Sequence, residues 1–263
     1  MLLYRVLSAV VGIPVVLCLV WYGSIPLTLA VLIISLLGIH ETGALFKKIG
    51  NNVWMPGAFL GGFLFVINAH LVNIDLLGIF LLTVIAAGLI YLVMSYPRFN
   101  MIDLAVTVFI SLYAGWLLTH IINLRQLPGG FHLVFLMMGA TWSTDTFAYF
   151  IGSAWGKTKL APLLSPNKSV EGSIGGILGS VAVSVVFWAV GQHFAIIHYI
   201  IIGILVGLMG QVGDLAESAL KRFAGVKDSG KIIPGHGGIM DRFDSMLITA
   251  PVIYYYLKLV IFV

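Results

Sequence analysis

The sequence predicts an all-α, polytopic integral membrane protein of about nine transmembrane helices, N-terminus inside and C-terminus outside. Three observations carry that expectation. Of 263 residues, 60% are hydrophobic and only 9% charged, with a mean hydropathy of +1.08, whereas a soluble domain is nearer half apolar and a quarter charged. Apolar runs of about twenty residues, the length that crosses a bilayer as helix, recur along the chain. They lack the alternating ten-residue pattern of a barrel strand. Finally, the basic residues sort onto one side of the membrane.

The apolar stretches fall at roughly 6–22, 26–45, 54–72, 76–95, 102–122, 132–153, 174–192, 196–219 and 244–262. The first could imitate a secretory leader, but "LCLVWYGSIPL" offers no convincing small-x-small cleavage site and a second apolar run follows at once. It is read as an uncleaved span. Its Cys18 is the chain's single cysteine, which excludes an internal disulfide framework or a multi-cysteine zinc site. A buried small hydrophobe is the expected role. Short turns rich in Gly, Pro, Asn and Ser join the first spans. Two longer polar loops follow, "AWGKTKLAPLLSPNKSVEGS" (154–173) and "LKRFAGVKDSGKIIPGHGGIMDRF" (220–243). The chain reads as one integrated membrane domain, with spans 1–5 over 1–130 and spans 6–9 with both loops over 131–263.

With the N-terminus inside, Arg5, Lys47, Lys48, Arg98, the three lysines of the first loop and the five cations of the second face the cytoplasm. That is 12 of the 14 basic residues, leaving Arg125 and Lys258. Cytoplasmic loops carry such an excess. The net charge of +4 is modest, and no nucleic-acid partner is expected.

Charge is scarce, yet "KDSGKIIPGHGGIMDRFDS" (227–245) gathers Lys227, Asp228, Lys231, His236, Asp241, Arg242 and Asp244. Upstream, Asp214, Glu217, Ser218 and Lys221 lie at i, i+3, i+4 and i+7, one stripe of a helix. Acids beside a membrane are costly unless they face a cavity, an ion or each other. Asp241 and Asp244 repeat the spacing where the last span begins. Oxygen donors of this kind suit Mg²⁺ or another hard cation. Lys221, Arg222, Lys227, Lys231 and Arg242 supply the cations that polyphosphate binding needs, and ordinary positive-inside charge would account for them equally well. The PGHGG turn allows close backbone approach to a ligand.

The first loop is loaded too. Asp145 sits inside the sixth span, and Ser165, Lys168, Ser169 and Glu171 follow. "GSAWGKT" falls one residue short of a phosphate-binding P-loop and no strand precedes it. "SPNK" reads as a turn, and helix capping is the competing role for Ser169 and Glu171. His40, Glu41, Asn68 and His70 are assigned to helix–helix hydrogen bonds, and Arg98 and Asp103 to the interface at a span start.

"SALKRFAGVKDSGKIIPGHGGIMDRFD" (218–244) resembles the signature of the phosphatidate cytidylyltransferase, or CDP-diacylglycerol synthase, family: S-x-x-K-R, then K-D, then H-G-G-x-x-D-R-x-D. "DTFAYFIGSAWGKTKLAPLLSPNKSVEG" is similar to the family's second block, so the likeness covers roughly 140–250. It implies an integral membrane enzyme that uses CTP, phosphatidic acid and Mg²⁺ to make CDP-diacylglycerol and pyrophosphate. It maps the metal-binding acids onto Asp214, Asp241 and Asp244, with Asp145 a further candidate and K⁺ a candidate second ion. Lys221 joins these acids as catalytic. Ser165, Lys168, Ser169, Glu171, Arg222, Lys227, Asp228, His236 and Arg242 are the expected substrate contacts, His236 as a ligand contact before a proton shuttle. The expected setting is the bacterial inner (plasma) membrane with the site facing the cytoplasm, and a homodimer is one open assembly. A coupled ion or proton transporter is the rival reading, since intramembrane acids also mark transport pathways. Against it, the charge clusters at one face, without an inverted repeat.

Overall fold

The computed structural model describes residues 2–71, 75–230 and 237–262. Hydrocarbon cannot solvate a backbone N–H or C=O, so a chain this apolar must satisfy them within helices. The helices are α1 (Leu2–Tyr22), α2 (Ser24–Lys48), α3 (Met55–His70), α4 (Leu77–Ser95), α5 (Met101–Ile110), α6 (Leu117–Gln126), α7 (Gly130–Trp155), α8 (Val170–Val190), α9 (Ile196–Phe223) and α10 (Met240–Val260). A π-helical turn, Ser111–Trp116, makes α5 and α6 one continuous rod. These elements overlie the nine apolar stretches. Among the described residues, five rods are long and apolar enough to cross a membrane: Ser24–Lys48, Leu77–Ser95, Met101–Gln126, Val170–Val190 and Ile196–Phe223. Met55–His70 is apolar but shorter.

The chain divides into two compact units: residues 1–126 with 223–242, and residues 127–222 with 243–263. In the first, α2 and α3 pack on each other and on the π turn, around Ile39, Phe65, Ile110, Ala114 and Leu118. Gly62 lets α3 approach closely, because a Cβ on Gly115 would stand 2.9 Å from the Gly62 Cα. The polar end of α6 completes its neighbours. Arg125 Nε donates to the Val20 carbonyl at 2.9 Å and Gln126 Nε2 to that of Ala69 at 2.8 Å, covering the open carbonyl ends of α1 and α3. At the start of α5, Asn100 and Asp103 form a capping box. Asp103, in the first turn of the helix as expected, is 2% exposed, because both its oxygens hold backbone N–H groups of Asn52 and Asn100. Cys18 is exposed on α1, so no protein neighbour buries it as expected.

The second unit rests on α7 against α8. Helices in lipid associate through small residues that let backbones meet. Gly172, Gly175, Gly176 and Gly179 line the α8 face: a Cβ on Gly176 would stand 2.8 Å from the Thr144 carbonyl oxygen, and one on Gly172 2.7 Å from that of Ala148. α9 meets α8 in the same way at Gly203 and Gly207. Between α7 and α8 the predicted polar loop forms a two-stranded antiparallel hairpin, β1 (Lys159–Ala161) and β2 (Ser165–Ser169). The turn lies at Pro162–Leu164, and "SPNK" is strand instead. Proline's fixed φ suits an extended edge strand that needs no donor at that position.

Introducing a side chain at Gly176 should therefore separate α7 from α8. Gly176→Leu is expected to destabilise the detergent-solubilised protein by about 1–3 kcal/mol, the usual cost of overpacking. Gly78→Ala, where a Cβ meets nothing within 4 Å, should leave thermal unfolding unchanged or raise the midpoint.

Candidate active site

Within the second unit, the hairpin, α7, α8 and α9 enclose a cavity of about 460 Å³ lined by Asp145, Asn167, Lys168, Ser169, Gln211 and Asp214 among others. Lys168 reaches in from β2 and forms an ion pair with Asp214 of α9. Both side chains remain about 30% exposed (27% and 30%), so the pair is open to exchange with a ligand. Gln211, one turn before Asp214, spends its amide on the Gly207 and Ser173 carbonyls at 2.7 and 3.2 Å, fixing α9 to α8 at this level. Tyr149, which also lines the cavity, is 71% exposed on α7, so the cavity sits beside a face available to lipid.

Behind the cavity, α9 presents the predicted stripe. Ser218 Oγ lies 3.4 Å from Asp214 Oδ1, and Lys221 Nζ donates to Glu217 Oε2 at 3.0 Å. Glu217 is 1% exposed. Asp244 of α10 is among its neighbours, in a setting shared with the charges of Asp214 and Lys221. Gly213 permits this arrangement, because a Cβ there would stand 2.4 Å from the Asp244 carbonyl oxygen. Asp214, Glu217, Lys221, Asp244 and Lys168 thus form one charged cluster in the second unit. Among the described residues no group of three or more His, Cys, Asp and Glu side chains is poised to hold one ion together.

The first loop is held by its own polar residues. Ser169 caps α8, its Oγ accepting from Gly172 N at 3.1 Å. Glu171 accepts from the backbone N–H groups of Lys157 and Thr158 at 3.1 Å, so two of the three amides of "GKT" are already engaged by a carboxylate, and that of Gly156 donates to the Gly152 carbonyl. Arg222 Nε donates to the Leu164 carbonyl at the hairpin turn, 3.4 Å away. Ser165 opens β2 opposite Ala161.

The signature loop belongs to the first unit, where Lys227 and Asp228 are exposed. Lys231 and His236 lie outside the described residues. Asp241 Oδ2 accepts from Ser229 N, Ser229 Oγ and Gly238 N at 3.0, 3.0 and 2.8 Å. Arg242, next on α10, is exposed. Glu41 makes the helix–helix hydrogen bond expected of it, and it also holds the loop before α10. Buried at 3% exposure on α2, it accepts from Ile239 N and Met240 N at 3.0 Å each and from Ser229 Oγ at 3.2 Å. A carboxylate from one helix thereby caps the N-terminus of another, where the helix dipole favours negative charge. The available signal was an acid within an apolar run, which is costly without partners.

Residues 3–260 match the cytidylyltransferase family. The chain belongs to that family. The cytidylyltransferase match begins at residue 3, so it includes the N-terminal spans, which carry no family motif by eye. The chain is 35% identical over 263 residues to the phosphatidate cytidylyltransferase of Bacillus subtilis, covering 97% of each chain. It is 34% identical over 256 residues to that of Staphylococcus haemolyticus, covering 95% of this chain and 96% of the relative. With that of Staphylococcus saprophyticus it shares 42% over 164 residues, 62% of each chain. The transporter reading finds no support in a cytidylyltransferase related over its whole length.

Removing the Glu41 carboxylate should release the loop. Glu41→Ala leaves the buried N–H groups of Ile239 and Met240 without an acceptor, at about 1–3 kcal/mol each. The expected result is a lower unfolding midpoint and faster protease cleavage between residues 223 and 240, with Glu41→Gln intermediate. Unchanged cleavage in Glu41→Ala would contradict the clamp.

Proposed function

We propose that the chain is a CTP:phosphatidate cytidylyltransferase, transferring CMP from CTP to phosphatidic acid to give CDP-diacylglycerol and pyrophosphate. The observation that carries the reading is the Lys168–Asp214 pair in a cavity beside an exposed α7 face, within a chain related end to end to enzymes named for that activity.

The chemistry asks little of a general base. The phosphate monoester of phosphatidic acid is already an anion. One of its oxygens bonds to the α-phosphorus of CTP as the bond from that phosphorus to the bridging oxygen breaks, and pyrophosphate leaves with the electron pair. The difficulty is to bring two polyanions together and to stabilise charge on the α-phosphate and the leaving group. Lys168 and Lys221 supply fixed positive charge, and Arg222 adds more beside the hairpin turn. Lys168 and Asp214 neutralise each other in their ion pair. A bound phosphate competes for Lys168 and frees the Asp214 carboxylate.

Mg²⁺ is held in such sites by one or two carboxylates, with substrate phosphates and water completing the shell. The all-oxygen donors fit this need. Asp214 and Asp244 would hold the ion, with Asp241, three residues before Asp244 on the same helix, and Asp145 as further oxygen donors; K⁺ is the candidate second cation. When bound, the ion neutralises charge on the α-phosphate and the departing pyrophosphate. The nine helical rods are read as nine spans, N-terminus inside, with both polar loops on the cytoplasmic face of the plasma membrane. Phosphatidic acid would arrive within the leaflet and CTP from the cytoplasm.

Purified protein given phosphatidic acid in mixed micelles, Mg²⁺ and labelled CTP should form a labelled liponucleotide, and Asp214→Asn and Asp241→Asn should abolish it. Lys168→Ala removes a charged contact worth about 1.5–3 kcal/mol, so the KM for one substrate should rise about 10- to 100-fold with kcat little changed. Lys221→Ala should chiefly lower kcat. The reverse pattern would refute these roles.

Topology is tested separately. A cysteine replacing Lys168 in a Cys18→Ser background should react with impermeant maleimide only from the cytoplasmic side of sealed vesicles. Labelling from the other side would overturn the orientation.

A further inference from the structure

A second cavity, about 790 Å³, lies in the first unit and contains no residue of the signature stretch. It is bounded by the last turn of α2 at Lys47, the link through Asn51 and Asn52, the last turns of α4, and the turn carrying Tyr96 and Arg98. Its walls are tied together. Asn52 N donates to Asp103 Oδ1 at 2.8 Å and Asn52 Nδ2 to the Arg98 carbonyl at 2.9 Å. Trp54 stacks on Tyr91 with centroids 4.6 Å apart and planes 6° from parallel, and Tyr91 meets Phe99 edge-on at 5.0 Å. The cavity is therefore a framed feature and not a gap beneath a loose link.

Its charge is one-sided. Lys47 and Arg98 both line it and both are exposed. Among the described residues neither forms an ion pair. Asp103, the nearby acid, has one oxygen on Asn52 N and the other on Asn100 N. Two cations at one polar cavity favour an anion with acceptor oxygens.

Its surroundings say which kind. α4 leads to the cavity and exposes a broad apolar face: Ile79, Leu82, Ile90, Val93 and Met94 are 59%, 67%, 62%, 78% and 80% exposed. At 19 residues and about 1.5 Å per residue, α4 matches the hydrocarbon thickness of about 30 Å. Its C-terminal end, where the cavity lies, thus falls at headgroup depth. A ligand filling this place presents phosphate to Lys47 and Arg98 and hydrocarbon to Val93 and Met94. We propose that this cavity binds an anionic glycerophospholipid, its phosphate held by Lys47 and Arg98 and its acyl chains lying along α4. Basic pockets at helix ends are known to take such headgroups. A free phosphate would use the cations but leave the aliphatic rim without a role.

The site requires only that the chain reside in a membrane, so its test is binding and not turnover. Full-length protein is stripped of lipid in dodecyl maltoside and titrated with dioleoyl phosphatidylglycerol, dioleoyl phosphatidylcholine or sn-glycerol 3-phosphate, and retained molecules are counted by native mass spectrometry. The wild type is expected to retain at least one phosphatidylglycerol that the Lys47→Gln/Arg98→Gln double variant binds about tenfold or more weakly, the loss of one to two charged contacts. The double variant should keep the wild-type unfolding midpoint and its cytidylyl transfer at saturating phosphatidate. Should it fail to fold, Met94→Asp, a change at an exposed position, must lose the same lipid. Equal phosphatidylglycerol retention by the variants overturns the site. Equal retention of phosphatidylcholine shows that the acyl chains alone account for binding and overturns the anionic headgroup. Glycerol phosphate bound by wild type and lost in the double variant marks a soluble-phosphate site and overturns the lipid.

Discussion

Hydrocarbon offers a polar group no partner, and this constraint governs the placement of nearly every charge in the chain. The clearest case is Glu41. Its carboxylate is buried on an apolar helix, which is tolerable only because Ile239 N, Met240 N and the Ser229 hydroxyl converge on it. Those groups lose their own exposure to water in the same contact. One buried carboxylate thus fixes both the start of α10 and the end of the signature loop. Glycine makes room for it: a Cβ on Gly238 would stand 2.5 Å from Glu41 Oε2, and one on Gly230 2.3 Å from Oε1.

The same economy appears at the other helix ends. Arg125 and Gln126 satisfy carbonyls of α1 and α3, and Asp103 gathers amides from two segments. In the second unit, glycines rather than polar groups bring the helices together. The face of α8 at Gly172, Gly176 and Gly179 has no side chains to hold α7 away. The hairpin and Lys168 follow α7 and precede α8 in the chain. The close packing of those helices therefore holds Lys168 where it can meet Asp214.

Function follows from this frame. The charged cluster pairs internally, through Lys168 with Asp214 and Lys221 with Glu217. Because Lys168 and Asp214 stay partly exposed, the pair can be parted by a phosphate. Glu217 and Lys221 are more enclosed, with side chains 1% and 12% exposed. Glu217 thereby holds the Lys221 ammonium in place, so the two ion pairs differ in depth, one open and one enclosed.

Much of this was legible in sequence. Composition and run length determined an all-α membrane chain, because hydrocarbon demands internally bonded backbone over about twenty residues. The i, i+3, i+4, i+7 spacing determined that Asp214, Glu217, Ser218 and Lys221 share a stripe, since helix geometry is local. What spacing cannot convey is which groups from distant segments meet. Only the tertiary structure decided that Lys168 pairs with Asp214 and that Glu217 pairs with Lys221. Only it decided that Glu41, 198 residues before Ile239 in the chain, caps α10. It also turned "SPNK" from turn into strand and buried Asp103. Each depends on a partner brought near by packing, and packing is set by the shapes of whole helix faces rather than by any short run of residues.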